Sequence, residues 1–412
     1  MSCRNKTPFA KFASIIMKIF TSPSRIIITC SKRLSPYLEK EVVDLGFVPE
    51  NTFATGLELY GTINDCIKLN LNLRCASQVH YSLKEFEANH PDELYRVLVD
   101  YPWEEILPND GHLSVTSNVD HPSINNSLYV NVKVKDAIVD RMTRQTGQRP
   151  DSGSELSGAV IYIFWKKERA EIFLDTSGET LSKHGYRKIP GKAPMLEALA
   201  AATLMASKWD RKSPFINPMC GSGTVAIEAV LLATKRKPGL FRNNYSFMHF
   251  IGYDERVYEK ELSEIKGQIT EIPELIVIAS DISEDAIEIA KANAGNAGVK
   301  DLIRFKQCDF EETFIHEGKP GVVYFNPEYG ERLGEISDLE LTYARIGDFM
   351  KKKCHGYTGY IFTGNAELAK KIGLKTSRRI EFYTARLDCR LLEYELYGGT
   401  RREIKEAPAV TE

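Results

Sequence analysis

Two short apolar runs near the start of the chain alternate with two amphipathic stretches. Residues 25–30 and 57–60 are predicted strands, and residues 36–45 and 63–73 carry their apolar side chains at helical spacing. Gly46 directly follows the first of these stretches, as is typical of a helix end. This β-α-β-α order predicts a small α+β unit over residues 24–76.

A second block, residues 77–180, contains three predicted strands around one predicted helix. The strands cover residues 112–116, 159–165 and 170–174. Between them, Val134, Ile138 and Met142 recur every four residues, which predicts a helix over residues 129–144. At 100° per residue, Lys133, Arg141 and Arg144 fall within roughly 80° beside that apolar stripe. Such a basic edge is suited to contact phosphates, and a solvated helix face explains it equally simply.

The remainder of the chain alternates between predicted strands and helices. Residues 182–193 mix glycine, proline and basic residues and are interpreted as an interdomain linker, and an alanine-rich helix over residues 194–209 follows. Predicted strands cover residues 215–217, 275–280, 303–305, 322–325 and 359–363, with an antiparallel pair at 380–383 and 390–397. This alternation predicts an open, mostly parallel sheet with helices on both faces.

Composition excludes several classes of protein. With 43% hydrophobic and 27% charged residues, the 412-residue chain has ordinary globular composition. The formal net charge of −2 shows no basic excess of the kind that indicates a nucleic-acid partner. No apolar run approaches the roughly 18 residues that span a bilayer. The eight cysteines form no C-x-x-C pair and the histidines show no H-x-x-x-H spacing. We therefore expect a cytoplasmic protein without a metal site.

The two ends of the chain are predicted to lie outside the folded domains. Residues 1–24 contain four basic side chains and no acid, and the first acid of the chain is Glu39. We interpret them as a flexible extension, or as the result of an upstream start preceding Met17, in preference to a transit peptide. Residues 401–412 are interpreted as a tail.

The segment Asn-Pro-Met-Cys-Gly-Ser-Gly-Thr, residues 217–224, links a predicted strand to a predicted helix. Gly221 and Gly223 allow the backbone to approach a ligand closely at such a turn. The third glycine of a dinucleotide fingerprint is missing, and the next strand-ending acid, Asp281, follows Gly221 by 60 positions instead of about 20. An insertion within residues 236–273 accounts for the excess. The pattern indicates a nucleoside site or a purely structural turn, with Cys220 as a small packing residue.

Polar side chains also end the next three predicted strands. Asp281 is placed to accept hydrogen bonds from ribose hydroxyls, or to serve as a charge at a helix N-terminus. Asp309 and Phe310 are placed to bind and cover an adenine, or to be a loop acid beside a core ring. Asn326, Pro327 and Tyr329 suit capture of a planar amine, although such a segment is also a common turn. Because all four positions lie at carboxyl ends of parallel strands, the sequence predicts an enzyme with a nucleoside cofactor.

At these residues the chain resembles a known family. Residues 205–397 are similar to class I S-adenosylmethionine-dependent methyltransferases that methylate amines. Residues 25–180, particularly 132–140 and 174–178, resemble a ferredoxin-like plus THUMP RNA-binding region. Together with residues 185–187 and 193–200, the whole resembles the bacterial 23S rRNA guanine-N2 methyltransferases of the RlmL/YpsC-like group.

The resemblance implies an α/β fold, in which a Rossmann-like class I methyltransferase domain is preceded by an α+β ferredoxin-like plus THUMP region. The implied boundaries are 25–76 for the ferredoxin-like domain, 77–181 for THUMP, 182–193 for the linker and 194–400 for the methyltransferase domain. It implies methyl transfer from S-adenosylmethionine to guanine N2 in 23S rRNA or its precursor, with no membrane contact and no obligate protein partner.

The resemblance also assigns roles to individual residues. Asn326, Pro327 and Tyr329 are the expected catalytic residues that bind the base. The expected cofactor-binding residues are Asn217, Cys220, Gly221, Gly223, Asp281, Asp309, Phe310 and Asn326. The expected RNA-binding residues follow instead from their placement on the predicted helix and linker, and they are Lys133, Arg141, Arg144, Lys183, Arg187 and Lys188.

Three features depart from the family pattern. Glu328 replaces the second proline of Asn-Pro-Pro-Tyr, Asn217 stands where the family usually has aspartate, and the sequence stops without the second methyltransferase domain of fused members. Because of Glu328, a catalytically silent RNA-binding or ribosome-assembly protein is an alternative. Because Asn-Pro-x-Tyr segments also bind adenine amines, an N6-adenine DNA methyltransferase is a second alternative. Residues 1–190 carry 23 basic and 23 acidic residues. RNA binding is therefore expected to depend on a confined basic surface.

Overall fold

The structure, a computed structural model, describes residues 19–191, 194–329, 336–384 and 387–398. The chain forms two compact units, and each is made of separate stretches of sequence. The first unit contains residues up to 31, 38–182 and 237–267, and the second contains residues 32–37, 183–236 and those from 268 onwards.

An eight-stranded sheet forms the first unit. Its strands, in chain order, are β1 Ser24–Thr29, β2 Asn51–Phe53, β3 Gly56–Gly61, β4 Gln78–Glu87, β5 His112–Asp120, β6 Asp151–Ser152, β7 Ala159–Lys166 and β8 Arg169–Asp175. Their order across the sheet is β2-β3-β1-β4-β8-β7-β5-β6. Strand β4, which the apolar pattern does not predict, pairs with β1 on one side and with β8 on the other. It therefore joins the two predicted N-terminal blocks into one sheet.

Residues 19–21 are helical, and ten longer α-helices lie among the described residues. They are α1 Ser35–Asp44, α2 Ile63–Asn72, α3 Pro91–Val99, α4 Ser127–Thr146, α5 Glu197–Ala206, α6 Thr224–Ala233, α7 Glu255–Gly267, α8 Glu284–Asn296, α9 Ile336–Lys353 and α10 Ala366–Lys371. The predicted helix in the THUMP-like block is confirmed as α4. Its stripe of Val134, Ile138 and Met142 is fully buried, because these side chains share the face that packs onto the unit.

The sheet of the second unit has seven strands. They are β9 Phe215–Pro218, β10 Val277–Asp281, β11 Ile303–Gln307, β12 Val322–Phe325, β13 Thr358–Thr363, β14 Arg378–Thr384 and β15 Leu387–Glu395. The order is β11-β10-β9-β12-β13-β15-β14, parallel except for β14 and β15. The predicted open parallel sheet with an antiparallel pair is therefore confirmed.

The long connection between α6 and β10 belongs to the first unit over residues 237–267. A Cβ built on Gly239 would lie 2.6 Å from the carbonyl oxygen of Leu71, so this connection passes close against the end of α2. Tyr258 and Ile265 of α7 are buried. This stretch accounts for the unusual spacing between the glycine-rich turn and Asp281.

Among the described residues, no helix has both the length and the apolar character needed to cross a bilayer.

Candidate active site

Four neighbouring strands of the second unit end at the same edge of the sheet. Strands β11, β10, β9 and β12 lie side by side and run parallel, with Ile216 opposite Ile278 and opposite Val323. The glycine-rich turn follows β9, Asp281 ends β10, Asp309 follows β11 and Asn326 follows β12. The structure thus brings these predicted site residues to the edge where open α/β sheets bind ligands.

The two glycines of the turn have different surroundings. Both adopt left-handed backbone angles, with φ of +54° at Gly221 and +80° at Gly223. A Cβ on Gly223 would lie 2.9 Å from the Cβ of Ala290 in α8, whereas a Cβ on Gly221 would meet nothing within 4 Å. Gly223 is therefore needed for helix packing, and Gly221 borders open space.

Asp281 is fixed against this turn by backbone hydrogen bonds. The Gly221 N–H donates to Asp281 Oδ2 at 2.9 Å, and the Ser283 N–H donates to Oδ1 at 3.0 Å. A carboxylate oxygen accepts two hydrogen bonds, so both oxygens keep acceptor capacity. The arrangement suits a ligand that offers a pair of hydroxyl groups.

Asn217 and Cys220 are buried within the same turn. Asn217 is fully buried, and its Nδ2 donates to the Tyr324 carbonyl oxygen at 2.9 Å. Its Oδ1 is buried without a hydrogen-bond partner among the described residues. Burial raises the pKa of the Cys220 thiol well above its ordinary value, so the nucleophilic thiolate is disfavoured. A packing role for Cys220 is consistent with this environment.

Asp309 is held by a residue that sequence reasoning missed. The Arg345 Nη2 in α9 donates to both carboxylate oxygens of Asp309 at 2.9 Å, and the Glu311 N–H donates to Oδ1 at 3.0 Å. Partial burial opposes ionisation, but these hydrogen bonds hold the pKa of Asp309 below its ordinary value. The Arg345 guanidinium also lies 4.8 Å from the centroid of the buried Phe310 ring. Helical spacing alone could have predicted α9, but not this contact.

The Asn326–Tyr329 segment leaves β12 with its side chains in different environments. Pro327 is buried, Asn326 and Tyr329 are partly buried, and Glu328 is exposed. A Cβ on Gly364 would lie 3.3 Å from the Tyr329 ring, so that ring is packed against the turn after β13. The charge of Glu328 therefore lies in solvent.

Arg187, expected to contact RNA, is instead part of a buried ion pair. Its guanidinium lies 3.0 Å from Glu197, with side-chain exposures of 9% and 2%. It also donates to the Met195 carbonyl oxygen at 2.6 Å and to Thr224 Oγ1 at 3.2 Å. Because these contacts engage the guanidinium inside the protein, Arg187 has a structural role. Lys183 and Lys188, on the same stretch, are exposed.

Residues 183–191, which we term the strap, are tied to the glycine-rich turn. Asn293 Nδ2 donates to the carbonyl oxygens of Ile189 at 3.0 Å and Ser222 at 3.2 Å, and a Cβ on Gly191 would lie 3.4 Å from the Ser222 Cβ. The interpretation of these residues as a linker misses this packing. His184 and Tyr186, both buried, anchor the strap in the second unit.

The remaining expected RNA-binding residues lie together on α4 of the first unit, and each is neutralised. Lys133 Nζ lies 2.8 Å from Asp92, and Arg141 Nε donates to Glu104 at 3.0 Å. Arg144 lies 3.6 Å from Asp100. The predicted basic edge is therefore present but paired with acids.

Comparison with known proteins matches three parts of the chain to domain families. The RMKL-like methyltransferase domain family matches residues 184–393, the RlmL ferredoxin-like domain matches residues 25–80, and the THUMP domain matches residues 88–175. The ribosomal RNA large subunit methyltransferase K/L of Syntrophotalea carbinolica is 33% identical over 91% of this chain and 54% of its own length. The chain spans about half the length of the curated relatives it matches.

Two crystal structures are similar over nearly the whole chain. SMU.472 complexed with SAH has a TM-score of 0.81 at 27% identity, covering 92% of this chain and 99% of that one. A predicted N6-adenine-specific DNA methylase from Listeria monocytogenes has a TM-score of 0.80 at 28% identity, covering 96% and 99%. Because one family match covers more than half of the chain, the protein belongs to the RMKL-like methyltransferase domain family, with RlmL ferredoxin-like and THUMP domains preceding that domain.

Proposed function

We propose that this protein transfers a methyl group from S-adenosylmethionine to the exocyclic N2 amine of a guanine in 23S rRNA or its precursor, in the cytoplasm. The observation that carries the proposal is the shared position of the glycine-rich turn, two carboxylates and Asn326 at one edge of the parallel sheet. The family membership and the name of the Syntrophotalea relative support a ribosomal RNA substrate.

The residues at this edge fit S-adenosylmethionine. The open space beside Gly221 accommodates the ligand next to the backbone, and Asp281 accepts hydrogen bonds from the ribose hydroxyls. Asp309 accepts a hydrogen bond from the adenine amine. Phe310, expected to cover the adenine, is instead buried in the core beneath the Arg345 guanidinium. Asn217 lies beneath the turn and stabilises it through its hydrogen bond to Tyr324. When bound, S-adenosylmethionine supplies an electrophilic methyl group.

The Asn326–Tyr329 segment orients the amine. The Asn326 side-chain oxygen and the Pro327 carbonyl oxygen accept hydrogen bonds from the two amine hydrogens, which directs the nitrogen lone pair away from them and towards the methyl group. Tyr329 stacks on a base that has left its helix. Formation of the carbon–nitrogen bond would break the methyl–sulfur bond of the sulfonium, with S-adenosylhomocysteine as the leaving group. The methylated nitrogen then gives up a proton to solvent. Alignment supplies most of the rate, so the site needs no strong base.

Two other functions predict different results: methylation of adenine, or no methylated product. An N6-adenine methyltransferase is suggested by the description of the similar Listeria protein, and a silent RNA-binding protein by Glu328. Because Glu328 is exposed, its charge lies outside the partly buried segment that would hold the base, which favours catalysis.

The test is incubation of precursor rRNA with S-adenosylmethionine, followed by mass spectrometry of its nucleosides. We expect N2-methylguanosine with the wild type and with Glu328→Gln, and its loss with Asn326→Ala. N6-methyladenosine would replace the proposal by the adenine activity. Calorimetric binding of S-adenosylmethionine without turnover on any RNA would support the silent protein. Unchanged activity of Asn326→Ala would refute the mechanism.

A further inference from the structure

A cavity of about 320 Å³ opens on the first unit, at the start of α4. It is bounded by His90 and Pro91 at the start of α3, and by Ile124, Asn125, Asn126 and Tyr129 where the chain enters α4. We term it the Tyr129 pocket. Its lining combines rings and amides, which suits a flat ligand with hydrogen-bonding edges.

The charges beside the Tyr129 pocket are already balanced. Lys133 Nζ lies 2.8 Å from Asp92 Oδ1 and 6.0 Å from the centroid of the Tyr129 ring. The hydrogen bond to Lys133 lowers the pKa of Asp92, so the carboxylate remains ionised and the pair stays neutral overall at physiological pH. A phosphate group would have to compete with Asp92 for this lysine. The charge at the pocket therefore complements an uncharged group better than a phosphate.

The side chains of the pocket offer an exposed ring and amide groups. Tyr129 is 48% exposed, and the neighbouring Asn125 and Asn126 are exposed as well. Asn126 Oδ1 accepts the Leu128 N–H at 2.9 Å, and this hydrogen bond does not use the donors of the Asn126 NH₂ group. The His90 Nδ1 accepts the Asp92 N–H at 3.3 Å. Aromatic rings flanked by amides are the chemistry by which proteins read unstacked bases.

We propose that the Tyr129 pocket binds one unpaired base of the RNA, stacked on Tyr129 and hydrogen-bonded by the amides of Asn125 and Asn126. This assignment rests on the proposed function, because it takes RNA as the substrate. It changes how the first unit contributes to binding, since stacking replaces the phosphate contacts expected of Lys133, Arg141 and Arg144. A bound base is uncharged, so this part of the affinity responds weakly to salt.

The test uses the full-length protein and two fluorescent RNAs of the same sequence, one single-stranded and one in a duplex. Tyr129→Ala is compared with Tyr129→Phe, which keeps the ring, and with Leu128→Ala, which removes an exposed neighbour outside the pocket. Anisotropy is expected to show a roughly tenfold or greater loss of single-strand affinity for Tyr129→Ala. The two other variants and all duplex affinities should remain near wild type.

Three results distinguish a failure of the pocket proposal from a failure of the proposed function. Equal single-strand affinities of Tyr129→Ala and the wild type would overturn the pocket, while rRNA methylation by the wild type would leave the proposed function standing. An equal loss for single strand and duplex would also overturn it, because stacking requires an unpaired base. A wild type that neither binds nor methylates RNA would overturn both. A far-ultraviolet circular dichroism spectrum and melting temperature equal to those of the wild type verify the fold of Tyr129→Ala.

Discussion

Arg187→Met should be one of the most damaging single substitutions in the second unit. The change keeps an unbranched apolar stem but leaves Glu197, whose side chain is 2% exposed, without its cation. Removing one partner of a buried ion pair costs about 3–5 kcal/mol, because the other charge stays buried. In a domain of this size each kcal/mol lowers the melting temperature by about 2–4 °C, so we expect a decrease of roughly 6–20 °C.

The assay is thermal unfolding followed by circular dichroism at two pH values, with Arg187→Met/Glu197→Gln as the matched control. The double variant lacks the uncompensated carboxylate and should recover part of the loss. Burial raises the pKa of Glu197, and Arg187 opposes this, so without Arg187 the folded state favours the protonated acid more strongly. The defect of Arg187→Met should therefore be larger at pH 8 than at pH 5. A melting temperature within about 2 °C of wild type, or purely additive losses, would refute the reasoning.

Other substitutions test the remaining features. Gly221→Ala should reduce SAH affinity measured by calorimetry, because its methyl group enters the open space, whereas Gly223→Ala should mainly lower the melting temperature through its contact with Ala290; the reverse pattern would contradict these roles. Burial lowers the pKa of His80, so its folded state favours the neutral ring. The neutral ring contributes stability above the unfolded pKa of about 6.5, and this stability is lost as pH falls through the folded pKa. From pH 7 to pH 5, the melting temperature of His80→Gln should therefore fall less than that of the wild type. Because the pKa of Asp309 is held below its ordinary value, SAH affinity should stay constant from pH 8 to about pH 4. A decline that begins near pH 5 would show that this carboxylate is not held as described.

The parallel sheet and the polar residues at its edge could be predicted from sequence because both depend on local patterns. Apolar runs mark the buried strands, and the chain order of strand ends places Gly221, Asp281, Asp309 and Asn326 near one another. The apolar pattern predicted no strand over β4, in which polar side chains alternate with Val79 and Tyr81.

Contacts between distant residues could not be predicted in this way. Arg345 reaches Asp309 from a helix 36 positions later in the chain, and Asn293 joins the strap to Ser222 across 71 positions. The basic side chains of α4 were placed correctly on one face, but the acids that neutralise them come from α3 and the turn after it. Spacing along one helix reveals which residues share a face and carries no information about the charges opposite.

The placement of residues 237–267 in the first unit affects the order in which the protein can fold during synthesis. The first unit is not complete when residue 182 has been made, because Gly239, which passes Leu71, and helix α7 come later in the chain. Helix α7 ends at residue 267, which is 85 residues after residue 182. At typical translation rates that interval lasts about 4–17 s. During this time α2 lacks its covering partner while the glycine-rich turn is already being synthesised. The incomplete N-terminal sheet must therefore remain soluble until residue 267 has left the ribosome.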